Sequence, residues 1–130
     1  MKCCASAALR GVPGGKLISM RSNTVVHAGD HFIEHQSVAS EAVVEGHPHT
    51  GLATLGRFGG LEVGVWEMTP GVMRDVEAEE IFVVLSGAAK VEFADGTAAL
   101  TLKPGDVVRL AAGAETVWTV TETLRKVYLV

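Results

Sequence analysis

GVWEMTPG (residues 64–71), EEIFVVLSG (79–87), DG (95–96), KPGDVVRLAAG (103–113) and TVW (116–118) decide the fold of this 130-residue chain. Together they are short, alternately apolar segments punctuated by Gly and Pro, as expected of antiparallel strands that reverse at tight turns. Residues 61–68 read as a strand and Thr69-Pro70-Gly71 as its turn, because Pro presets φ and Gly accepts positive φ. Residues 80–86 form a nearly continuous apolar strand ended by Gly87, and 89–94 form the next. Asp95-Gly96 is the strongest hairpin signal, since both central residues of a type I′ turn need φ > 0. Strands over 98–102, 106–110, 115–121 and 124–130 complete the set, with Lys103-Pro104-Gly105 and Ala111-Ala112-Gly113 as turns. No segment after residue 60 sustains a 3.6-residue apolar period, so the expected class is an all-β barrel with almost no helix there.

Composition shifts near residue 60. All five histidines lie before it, among Gly, Ser and Glu with only short apolar pieces such as Thr24-Val25-Val26. Residues 1–45 are therefore expected to be an N-terminal arm and outer strands around a barrel formed by 46–130. A length of 130 residues with 48% apolar content suffices for one core and not for two. The formal charge is −4 and the 11 basic residues are scattered, which argues against nucleic acid and anionic membranes as partners. The apolar stretch at residues 3–9 stops at Arg10, short of a secretory segment, and no run approaches a membrane span. The expected protein is soluble and cytoplasmic. Cys3 and Cys4 are neighbours, unable to staple distant strands, and read as reduced thiols.

With those elements in order, the chain resembles the cupins, small jelly-roll barrels marked by a His-x-His…Glu…Gly stretch and a Gly…Pro-x-Gly…His stretch. Residues 71–87, with Glu80 ahead of the closing Gly87, are similar to the first motif, and residues 105–116, with Gly113, to the second. GVWEMTPG, EEIFVVLSG and TVWTVTETLRK (116–126) further resemble the cupin subfamily named for its similarity to ureidoglycine aminohydrolase. The resemblance implies a single-domain jelly roll and, in many members, a metal. Family spacing puts the first-motif histidines at Met73 and Asp75, or at Arg74 and Val76, and the second-motif histidine at Thr116. Only Glu80 is retained. A four-ligand site worth about 10–16 kcal/mol gives roughly 3–4 kcal/mol per ligand, so a lone carboxylate holds a divalent ion at about millimolar affinity. Adding Asp75 makes an all-oxygen pair suited weakly to Mg²⁺ or Ca²⁺ and not to a transition metal. The expectation is no metal ligand and no cofactor beyond such weak divalent binding.

Glu80 shares strand parity with Phe82 and Val84, the side assigned to the interior. A carboxylate there must be protonated, hydrogen-bonded or paired with a cation, and it is the candidate catalytic residue. A structural alternative has Glu80 bonded to Thr116 or the Trp118 indole. Trp66 and Trp118 serve as pocket walls or as core. Arg125 and Lys126 are adjacent, so one points inward; Val127 and Leu129 favour Arg125, Tyr128 favours Lys126, and the assignment leans to Arg125. The expected ligand-binding residues are Trp66, Arg74, Glu80, Phe82, Thr116, Trp118 and Arg125. His27, His31 and His35 would share a helical face able to bind metal, but Gly29 and the β-type run before them favour a loop. His47-Pro48-His49 lies too far upstream to be the family motif. The acidic run Asp75, Glu77, Glu79 and Glu80 reads mostly as a solvated edge, with alternate members outward.

Three functions follow as expectations: a cupin without tightly held metal that binds a small polar or anionic metabolite, a metal-dependent aminohydrolase acting on a ureido or amide compound, or a dimerisation module. Homodimerisation is expected under all three, because apolar edge strands are commonly buried by pairing.

Overall fold

The computed structural model describes residues 20–130, which leaves Cys3 and Cys4 outside the described residues. Every regular element among them is a strand: β1 (Gln36–Ser37), β2 (Val43–Glu45), β3 (His49–Phe58), β4 (Leu61–Met68), β5 (Gly71–Val76), β6 (Glu80–Phe93), β7 (Leu100–Leu102), β8 (Val107–Leu110) and β9 (Glu115–Leu129). The expected all-β class holds.

Two long strands organise the rest. β6 and β9 run antiparallel from Ile81 opposite Leu129 to Phe93 opposite Thr116. The first half of β6, beside the end of β9, is flanked by β8 on one side and by β4, β3 and β1 on the other. The second half of β6, beside the start of β9, is flanked by β7 and by β5 and β2. All nine strands thus belong to one continuous sheet. It curls over so that its two halves share one apolar core, including Trp66, Met73, Phe82, Val91, Trp118 and Leu124. This is the jelly-roll arrangement.

The sequence reading split both long strands in two. Gly87 does have positive φ (93°), yet the chain bends there and continues. The β6–β9 register shifts between Val84 and Ala89, so the inward set changes from Glu80, Phe82 and Val84 to Ala89 and Val91. A Cβ at Gly87 would collide with the Thr123 carbonyl, which is why the crossing of the two strands needs glycine. Asp95-Gly96 is a turn of a different type from the one expected. Gly96 alone of the pair has positive φ (88°), and residues 94–99 connect β6 to β7. The Asp95 carboxylate instead accepts the Thr97 amide at 2.9 Å. Hydrogen bonds from the Thr97 side chain and backbone hold this carboxyl below its ordinary range. β3 and β5 were not read as strands, since Gly, Thr, Arg and Asp interrupt their apolar alternation.

Strand alternation divides the side chains cleanly. Along β4, Trp66 and Met68 face the interior while Val65 faces outward, where Ile33 and Leu55 bury it in a second, smaller cluster. At one end of the interior, Tyr128 lies so close to β4 that a Cβ at Gly64 would fall on its ring. Its hydroxyl donates to Glu62 Oε2 at 3.1 Å. Burial first, and then the Glu62 carboxylate, push the phenol well above its usual range.

Two outcomes follow. Gly87→Ala is expected to destabilise the fold by about 1–3 kcal/mol or more, because it combines a strained φ with a backbone collision; denaturant unfolding measures this. Tyr128 is the chain's single tyrosine. Its raised folded value means that its contribution is fully present below about pH 10, the unfolded value, and is lost as pH rises beyond it. Phenolate absorbance should therefore appear together with alkaline unfolding, and ionisation at an ordinary pH in the folded protein would contradict the buried geometry.

Candidate functional site

The core of the barrel encloses a lysine side chain paired with a carboxylate. Lys126 Nζ donates to Glu80 Oε2 at 2.7 Å, with the two side chains 1% and 0% exposed. Three aromatic rings surround the ammonium: Phe82 at 4.1 Å from its centroid, Trp66 at 4.6 Å and Trp118 at 5.0 Å. Trp66 and Trp118 meet edge to face at 5.7 Å, and Phe82 lies tilted 5.9 Å from Trp118. Removing an ammonium from water is expensive, and here a carboxylate and the negative faces of aromatic rings replace its hydration. Glu80 thus finds the cationic partner that its position demanded.

That partner corrects the assignment of Arg125. β9 keeps unbroken parity through Leu124, Lys126 and Tyr128, all buried in the interior, so Arg125 must face the other way. On the outer side its guanidinium donates to Glu67 Oε1 at 3.1 Å and to the carbonyls of Ala28 and His31 at 2.9 and 2.7 Å. It fastens the segment preceding β1 to the barrel and does not line the interior. His35 Nε2 joins the same carboxylate at 2.6 Å from Glu67 Oε2.

Thr116 and Trp118 are interior, as expected, but their acid is Glu77 and not Glu80. Thr116 Oγ1 and Trp118 Nε1 both donate to Glu77 Oε2, at 2.6 and 2.8 Å. The Glu77 backbone is fixed by bonds to the turn before β9, its amide to Ala114 O and its carbonyl to the Gly113 amide. Glu77 is 4% exposed, which overturns its reading as a solvated edge. Its other oxygen, Oε1, and the Trp66 indole Nε1 are both buried without a hydrogen-bond partner. The signal for Glu77 was present in the period-two series Met73, Asp75, Glu77.

Arg74 is the second correction, exposed because it alternates with the inward Met73 and Asp75. It lines a cleft of about 570 Å³ together with Glu41, Glu92 and Phe93, and this cleft also reaches Asp75 and Thr116. Arg74, Val76, Glu92, Glu115 and Val117 alternate with the inward residues of β5, β6 and β9, so the cleft lies on the outer face of the sheet and not over the Lys126–Glu80 pair. A smaller cleft of about 320 Å³ includes Ser37, His47 and His49.

The donors present do not suit a divalent metal. The family positions carry Met73, Asp75 and Thr116, and the Glu80 carboxylate is held by an ammonium. Among the described residues no group of three or more His, Cys, Asp or Glu is placed to hold a metal ion. His27, His31 and His35 occupy irregular chain and present no helical face.

A sequence model described as the EutQ-like cupin domain matches residues 55–128. None of the curated proteins matches the chain. Among solved structures, a protein of unknown function of the DUF861 family from Pseudomonas syringae pv. tomato is 23% identical, with a TM-score of 0.62 over 78% of this chain and 45% of its own. The EutQ protein of Clostridium difficile is 16% identical, with a TM-score of 0.54 over 63% and 67%. A putative ethanolamine utilization protein Q from Salmonella typhimurium is 16% identical, with a TM-score of 0.55 over 75% and 94%. At these identities the likeness is one of fold.

Lys126→Met should cost about 3–5 kcal/mol by leaving Glu80 buried and uncompensated, and Glu80→Gln combined with Lys126→Met should recover most of that loss. Urea unfolding of the wild type, single and double variants checks this; additive losses would contradict direct pairing.

Proposed function

The chain is a member of the EutQ-like cupin family, and on that premise we propose that its barrel binds a small polar molecule bearing N–H donors. The carrying observation is the pair of unspent buried groups, the acceptor Glu77 Oε1 and the donor Trp66 Nε1. Buried polar groups are nearly always satisfied, so two of opposite character in one interior point to a ligand that supplies both halves. An amide or ureido group does so, with its N–H toward Glu77 and its carbonyl toward Trp66.

Interior charge narrows the polar or anionic expectation to the polar one. Three carboxyl groups, Asp75, Glu77 and Glu80, accompany one ammonium, Lys126, all buried. An added anion would be repelled on balance, whereas a neutral donor or an amine would be favoured. Glu80 is engaged by Lys126, which supports a structural role for it over that of a general base. The motif likeness to the ureidoglycine aminohydrolase subfamily supports the same ligand class, but the donor set does not fit the metal that such hydrolysis would use, and no hydrolytic step is assigned. Homodimerisation belongs to the same proposal and is supported by apolar residues on the outside of the barrel, among them Ile81, Val107 and Leu61.

Thermal shift and tryptophan fluorescence with simple amides, ureas, primary amines and small carboxylates test this reading. Amides and ureas are expected to stabilise the protein, and Glu77→Gln to weaken their binding about 10–100-fold, the equivalent of one hydrogen bond to a charged group. Stabilisation by carboxylates alone, or by none of the panel, would overturn it.

A further inference from the structure

We infer that Lys126 is a tethered guest in a cation cage, its ammonium standing as the barrel's own cation in place of a metal ion. The walls of the cage include the Glu80 carboxylate and the rings of Trp66, Phe82 and Trp118, contributed by β4, β6 and β9. Among the ligand positions of the resembled metal motifs Glu80 alone keeps its residue, and Lys126 Nζ is hydrogen-bonded to it. Aromatic faces attract an ammonium through their quadrupoles but offer no lone pair to a transition metal. The surroundings of Glu80 are therefore chemically matched to an organic cation.

Two consequences follow. A divalent metal would have to displace a covalently attached competitor whose effective concentration is high, so the wild-type barrel does not take up Mn²⁺ or Zn²⁺ at Glu80. An alkylammonium ion of the right length should fit the same space once the tether is cut. Lys126→Ala removes three methylenes and the ammonium, whose atoms together make up propylammonium.

The test has two parts. In the wild-type protein, ring currents from three aromatic faces should move the terminal methylene resonances of one lysine upfield of all the others, and that signal should vanish in Lys126→Arg. In Lys126→Ala, refolded with and without propylammonium, the amine should raise the melting temperature or restore folding, while leaving wild type and Glu80→Gln/Lys126→Ala unmoved. Ordinary shifts for every lysine would overturn the inference. So would equal stabilisation of all three proteins by propylammonium, failure of the amine to help Lys126→Ala in either folding or stability, or one equivalent of tightly held metal in the wild type. The amide and urea responses at Glu77 are a separate readout, so failure there leaves these outcomes independently interpretable.

Discussion

A buried ammonium is the constraint around which this barrel is arranged. An ion taken from water loses several kcal/mol of hydration even after relaxation of its surroundings, and a lysine placed among apolar residues alone would shed its proton or unfold the protein. The chain meets that demand with Glu80 at 2.7 Å and three rings within 5.0 Å. The same rings belong to the apolar core of the interior, so packing and charge compensation come from the same side chains. Removal of one wall disturbs both.

The two long strands make this possible. β9 brings Thr116, Trp118 and Lys126 to the interior along one line, while β6 brings Glu80 and Phe82 to meet them. Because β6 changes parity across the bend at Gly87, its second half contributes Ala89 and Val91 to the same core. Polar chemistry is consequently segregated: the ammonium pair lies along the first half of β6, and the Glu77 network lies where β5 leads into it.

Much of this was legible beforehand, for identifiable reasons. β4 was found at its observed bounds because the apolar run from Leu61 to Met68 is followed at once by turn residues. Glu80 and Phe82 were placed inside by parity and Trp66, Thr116 and Trp118 were expected at the pocket, and all five are buried. The choice between Arg125 and Lys126 failed because β9 was divided at residues 122–123, where exposed Glu and Thr mimic a turn. Read as one strand, even-numbered parity from Thr116 to Tyr128 selects Lys126. Glu77 was missed because β5 was not recognised, and without a strand its spacing from Asp75 carried no meaning. Partnerships across the sheet, such as Glu77 with Trp118, depend on register that no single segment encodes.

Residues 125 and 126 give one peptide unit two opposed duties. Arg125 grips the Ala28 and His31 carbonyls on the outside, and Lys126 fills the cage within. A single inserted or deleted residue upstream in β9 would exchange them, driving a guanidinium into a space fitted to an ammonium and leaving the outer strap with nothing to hold it. Tolerance to length variation is thereby confined to the connections, above all the exposed 94–99 excursion, while the length of β9 upstream of Arg125 is set by what its two faces hold.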